Sequence, residues 1–480
     1  MKKFAIVIIF FAIIMMFSSC RKDTPLPPKG VTEYYLDMKL DAGSRLVEVA
    51  QEIHYTNTQE DALKELYLHL YANNYRKDAF IAAYDCDLSY YGGIYISSLQ
   101  VEGKEHPITY LHDATLLKVP LATPLQPNSK VWLTIKYALE VPLAPLRFGI
   151  YDRTVNLGNF YPIMAVYENG AWRLDTYCRI GDPFYSEVAN YQVNLTCQRE
   201  YTVASSGNII SQEYDNQLKT VQLKQDGIRD FALVLSKDYL VKSKKVNDTT
   251  VNYYYYLDST PQENLDIAAN ALTVFSENFG KYPYEVYNVA EAAFYHGGME
   301  YPALSIINAA LQDKSDAIVH ETAHQWFACL IGTDSINEAY LDEGLATFST
   351  LLYYRLTGDE ASYTNGLKQI RNAYAAFTMI EQAGQPSYKP KMTKTLYEFK
   401  SAYEYEVLCY NKSAIMFAAL YETMGKDAFL KGIKSFYLEN CYKLAKFEQL
   451  VSAFDRKRFD SAKILVPFLE GEAVIATLAV

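Results

Sequence analysis

The stretch Ile318-Val319-His320-Glu321-Thr322-Ala323-His324-Gln325-Trp326-Phe327 places His-Glu-x-x-His inside an apolar run. Residues four apart on a helix lie on one face a turn apart, so His320 and His324 can point at one ion. Eighteen residues beyond His324, the segment Tyr340-Leu341-Asp342-Glu343-Gly344 opens a second helical pattern. Two imidazoles and a distant carboxylate give zinc three protein ligands and leave one position open, which is the catalytic rather than the structural arrangement. Glu321 adjoins the first ligand and is free to act on a water, whose pKa zinc lowers to about 7. The chain has only seven histidines. A chance His-Glu-x-x-His is therefore of order one in a hundred, which favours a metal site over two core imidazoles.

At 480 residues two or three domains are expected. Half of the residues are hydrophobic, as in a globular chain. The net charge of −11 argues against a nucleic-acid partner and against a polybasic membrane patch. Tyrosine occurs 43 times, including Tyr253 to Tyr256, and suits half-buried strands and wet domain faces better than a carbohydrate platform.

The start is basic, Met1-Lys2-Lys3, and Phe4 to Phe17 carries no charge. That run is shorter than the roughly 20 residues of a membrane span and fits a secretory signal. Ser18-Ser19-Cys20 follows and resembles a bacterial lipobox, although Phe17 stands where leucine is usual. The expectation is a signal peptide over 1–19, a lipidated Cys20 with a tether over 20–32, and a protein held at the bacterial cell envelope. Six further cysteines, at 86, 178, 197, 329, 409 and 441, show no CxxC spacing. An even count permits disulfides, but Cys329 and Cys409 lie in apolar runs and are expected to be buried thiols.

From Glu33 to Lys244 alternating runs such as Tyr34–Leu40, Leu46–Tyr55, Leu66–Tyr71, Val131–Val141 and Tyr191–Cys197 predict an all-β sandwich or saddle domain over 33–244. A catalytic domain over 245–480 follows. It begins with a helix over Pro261–Phe279, with Thr260 as N-cap, Pro261 at the first position and Glu263 completing a capping box. The strand-like Val286–Phe294 comes next. Helices are expected over Ser315–Ile331 and Asp342–Leu356, and near 360–383, 405–424 and 426–439.

The zinc motif and its eighteen-residue gap resemble the gluzincin aminopeptidases, the family of aminopeptidase N and the leukotriene hydrolases. Three passages agree: Phe279-Gly280-Lys281-Tyr282-Pro283-Tyr284, Gly297-Gly298-Met299-Glu300-Tyr301-Pro302, and Tyr405 to Ser413. The resemblance implies a thermolysin-like α+β zincin domain, mostly helical, behind the β domain, and one Zn2+ per chain held by His320, His324 and Glu343. It implies Glu321 as general base and Tyr410 as hydroxyl donor to the oxyanion. It also implies Gly297, Gly298, Met299 and Glu300 as the substrate-binding segment, with Glu300 on the free α-amino group and Tyr405 as a second active-site tyrosine. Gln325 and Trp326 match the family as supports of the helix. The partners implied are peptides with a free N-terminus.

Two departures stand out: Tyr301 replaces the motif's asparagine, and Ser413 replaces a glycine. The sequence ends at Val480, short of the large helical domain of the longer members, so an open cleft is expected. Two other readings remain open at the level of sequence. A zinc endopeptidase would share the ligands and base but has no use for Glu300. A lipid-anchored binding protein with impaired catalysis would keep the fold alone.

Overall fold

The computed structural model describes residues 24–79, 90–455 and 459–473. Cys20, the signal segment and Cys86 lie outside these residues.

The N-terminal half is built on an eight-stranded sheet in which Thr32–Asp41 is central, parallel to Ala189–Gln198 and antiparallel to Leu46–Thr56. Side chains alternate across a strand, so Tyr34, Leu36, Met38 and Leu40 enter the core while their neighbours face outward. Lys130–Glu140 repeats the pattern on the far side of Leu46–Thr56. Two four-stranded sheets and a two-stranded one complete the domain. The expected run over Leu66–Tyr71 splits: the strand is Leu63–His69, and Tyr71–Tyr75 forms a 3₁₀ turn.

Leu240–Val246 pairs with Thr249–Tyr255 in a second, five-stranded sheet. The boundary expected between residues 244 and 245 thus falls inside a strand of the catalytic half. In this sheet Thr249–Tyr255, Val286–Ala292 and Leu304–Asn308 run parallel, and Gly298–Tyr301 forms an antiparallel edge. The remainder is helical, as expected: Pro261–Asn278, Ser315–His324, Asp342–Leu356, Glu360–Gly384 and Lys426–Asn440. One apolar core runs through both halves. No helix among the described residues is long and apolar enough to cross a membrane.

Three local expectations are corrected. Pro261 occupies the start of its helix, but Thr260 makes no capping bond; its hydroxyl donates to Asp258 instead. The His-Glu helix stops at His324 rather than Ile331. The cause is the second imidazole, whose Nδ1 meets the Phe327 carbonyl at 2.8 Å. A continuing helix would aim that carbonyl along its axis, so the chain unwinds and Ala328 takes φ 116°. Third, the helix expected over 405–424 is a short α-turn at Ala402–Tyr405, a π-helix at Glu406–Lys412 and an α-helix at Ser413–Met424. π-Bulges are rare and are frequent at functional sites.

The five described cysteines, Cys329 and Cys409 among them, are buried free thiols.

Candidate active site

The His-Glu helix packs between Pro261–Asn278 and Asp342–Leu356. Trp326 anchors its far end, donating from Nε1 to the Gly280 carbonyl at 2.9 Å among the rings of Phe275, Phe279 and Tyr282. Gln325 ties the same point to the sheet: its Nε2 donates to the Tyr301 carbonyl and its Oε1 accepts from the Ala303 amide. The helix and the Gly298–Tyr301 edge strand are thereby held as one unit.

His320, His324 and Glu343 converge. The two Nε2 atoms are 3.0 Å apart, and Glu343 Oε2 lies 3.4 Å from one and 3.2 Å from the other. Glu343 Oε2 is buried and has no hydrogen-bond partner, and ligand atoms of all three residues lie within 4.8 Å of one another. The donor set, two imidazoles and a carboxylate, fits zinc. The Phe327 carbonyl fixes the proton of His324 on Nδ1 and leaves Nε2 to the ion, an outer-shell contact typical of metal-binding histidine. Burial lowers the His320 pKa, favouring the neutral ring. Burial also acts downward on His324, but the carboxylates of Glu300, Glu343 and Glu321 outweigh it and hold a positive charge there. The site demands a cation, a role that a bound zinc ion would fill.

Glu321 is buried beside the triad with Oε2 unpartnered. Burial raises its pKa, and His324 opposes the rise. The backbone of Gly298 lies against this side chain: a Cβ there would stand 2.7 Å from both Cγ and Cδ of Glu321. The missing side chain of Gly298 therefore makes room for Glu321, whereas Gly297 is open. Met299 is buried within the edge strand, its sulfur 3.1 Å from Arg147.

Tyr410 stacks over His320, ring centroids 5.8 Å apart and planes 10° apart, and its hydroxyl is close enough to Glu343 to interact with it. Tyr405 meets Tyr410 edge-on at 5.7 Å. Both departures from the motif are accommodated. Ser413 donates to the Tyr340 carbonyl at 2.6 Å and fills the space left by Gly344. Tyr301 turns away from the zinc ligands, donates to Asn159 at 2.8 Å, and packs where a Cβ on Gly158 would come 2.5 Å from its ring.

The three ligand residues, Glu321, Glu300, Tyr405 and Tyr410 line a cleft of about 570 Å³ between the two halves. The β domain adds two residues that the sequence reading missed. Asp182 offers an oxygen within 4.8 Å of oxygens of Glu300 and Glu343. Arg147 donates to Asp182 at 2.5 Å and lies over the Phe184 ring. Neither belongs to a motif, and nothing in its sequence neighbourhood marks it.

Two histidines of one helix and a glutamate of the next thus form a candidate zinc site in the helical half, behind an all-β half. Residues 263–466 match the Peptidase family M1 domain. Over 95% of its length it superposes on an M1 zinc metallopeptidase from Deinococcus radiodurans, with a TM-score of 0.67, 20% identity and 98% of that chain covered. It is 22% identical to aminopeptidase M1-B of Oryza sativa subsp. japonica over 299 residues, 58% of this chain and 34% of that one. It is 27% identical to human endoplasmic reticulum aminopeptidase 2 over 148 residues, 30% and 14% of the two chains. The matches thus span about a third or less of these curated relatives.

Proposed function

We propose that this chain is a zinc aminopeptidase that removes N-terminal residues from peptides. The carrying observation is the charge of the cleft. Six carboxylates line it, Asp182, Glu300, Asp316, Glu321, Glu343 and Glu406, against two arginines, Arg147 and Arg179, and Asp182, Glu300 and Glu343 bring oxygens within 4.8 Å of one another. This surplus of acid favours cations, a zinc ion and a substrate ammonium. An internal peptide segment brings no ammonium, which favours the exopeptidase over the endopeptidase reading. Burial pushes the Glu300 carboxyl well up, with His324 opposing and the neighbouring carboxylates adding to the rise; an arriving ammonium relieves that strain. A relative from Deinococcus radiodurans, a glutamate-to-alanine mutant sharing this fold at 19% identity, has been solved with a Tyr-Ser-Ala substrate, in keeping with a peptide in this cleft.

The Gly298–Tyr301 edge strand offers free backbone groups for a peptide added as a strand, and Gly297 leaves its approach open. Glu300 and Asp182 then hold the α-ammonium, which fixes the first carbonyl at the ligand triad. Bound zinc supplies a Lewis acid for that carbonyl and lowers the pKa of water. Glu321, buried beside the triad, takes the proton of the attacking water and passes it to the leaving amine. Tyr410 donates its hydroxyl to the oxygen on which negative charge develops. Tyr405, edge-on to Tyr410, holds that ring in place.

Replacing Glu300 by Ala removes half of the ammonium anchor. A charge-assisted hydrogen bond contributes roughly 1.5–3 kcal/mol, so kcat/KM falls at least about tenfold while zinc content stays normal. An unchanged rate would remove the amine-anchoring role.

The site of action follows from the first twenty residues. A basic start, a short apolar run and Ser-Ser-Cys favour export and lipidation at Cys20, with the soluble body held at the bacterial envelope. Two or three acyl chains anchor stably where one is marginal. Mass spectrometry of the mature protein then finds an acylated Cys20 as first residue, and Cys20→Ala releases the body or leaves the signal uncleaved; an unmodified N-terminus elsewhere contradicts this.

A further inference from the structure

A second cavity, of about 300 Å³, lies at the junction of the two halves, walled by the segment entering the first strand, by the Glu187–Arg229 region and by Tyr442–Leu444. At about 30 Å³ per water it is far larger than one structural water needs, and it reaches the lower limit of small-molecule sites, about 300 Å³.

Three of its lining residues carry a buried polar atom with no hydrogen-bond partner: Arg229 Nε, Tyr442 OH and Thr56 Oγ1. Buried polar groups are normally satisfied, and each one left unpaired costs roughly 1–3 kcal/mol. Arg229 is only 6% exposed. It donates to the carbonyls of Ser186, Leu330 and Lys443 and forms no ion pair among the described residues. Its guanidinium lies flat on Gly332, where a Cβ would come 2.5 Å from Nε. Tyr442 holds φ 67°, a conformation rare for a bulky residue and commonest where function fixes the backbone. Glu187 also lines the cavity, within electrostatic reach of Arg229 but beyond ion-pair distance.

A cation and an anion that face one cavity without closing on each other, with two idle hydroxyls beside them, match a ligand carrying both charges a few bonds apart. We propose that this cavity is a binding site for a free α-amino acid, distinct from the zinc cleft. The ligand carboxylate is placed on Arg229 and the hydroxyls of Tyr442 and Thr56, and its ammonium on Glu187. A simple anion would leave Glu187 unanswered, and a simple amine would leave Arg229 so. The inference does not depend on the peptidase reading, because it rests on residues outside the cleft.

Calorimetric titration of the zinc-loaded protein with L-alanine tests it, using Glu300→Ala to weaken amino-acid binding at the cleft. Saturable binding persists in Glu300→Ala. Adding Glu187→Gln or Tyr442→Phe to that variant weakens it at least tenfold, and acetate or methylamine alone binds at least tenfold less tightly. Both added substitutions keep shape, so loss of folding does not imitate the effect, and unchanged thermal melting confirms this. The proposal is overturned if Glu300→Ala shows no saturable binding, if neither added substitution weakens it, or if acetate binds as well as L-alanine.

Discussion

Glu321→Gln leaves one zinc per chain and lowers kcat by about 10²- to 10⁴-fold, the range that a positioned general base contributes. The amide keeps the volume of the carboxylate but cannot accept a proton. Zinc is retained because His320, His324 and Glu343, not Glu321, converge as ligands. Gly298→Ala gives a milder form of the same defect. The new Cβ stands 2.7 Å from the Glu321 Cγ and Cδ, and the carboxyl, as the free end of a side chain, swings aside with little cost to stability. Metal analysis and initial rates on both variants check this. Loss of zinc from Glu321→Gln, or turnover near the parent rate, contradicts the assignment.

The second large effect concerns the metal. His320→Ala or Glu343→Ala leaves two of three ligands, and with Glu343 gone the only carboxylate of the set is lost. Metal affinity is ligand-number dependent and couples to the fold. Zinc content after dialysis falls from about one per chain to below about a tenth, and activity falls with it. Glu343 also faces Tyr410, so its loss is not restored by excess zinc. One equivalent of tightly held zinc in either variant contradicts the ligand set.

The parts of this site that sit on regular periodicity were legible in the sequence. The i, i+4 histidines fall on one helix face, the Glu343 helix runs over the expected Asp342–Leu356, and alternating runs such as Tyr34–Leu40 form strands with one face buried. What was not legible depends on contacts between distant segments. The His-Glu helix unwinds because His324 needs the Phe327 carbonyl, which helix propensity does not record. The π-helix bearing Tyr410 has no sequence signal of its own. Asp182 and Arg147 come from loops of the other domain. Ser413 and Tyr301 looked like weaknesses while read alone. Each is paired in space with a glycine, Gly344 and Gly158, that gives it room, and each finds an acceptor for its hydroxyl.

The central claim is that the cleft pairs a zinc site with an ammonium anchor. The most direct measurement compares hydrolysis of aminoacyl fluorogenic substrates and short peptides bearing free and N-acetylated ends, with and without a chelator. Acetylation removes the charge that Asp182 and Glu300 hold and adds bulk beside them. The account predicts chelator-sensitive cleavage of free N-termini, with kcat/KM for the acetylated forms lower by at least about tenfold, equivalent to roughly 1.4 kcal/mol. Equal cleavage of free and acetylated peptides would contradict it and point to an endopeptidase.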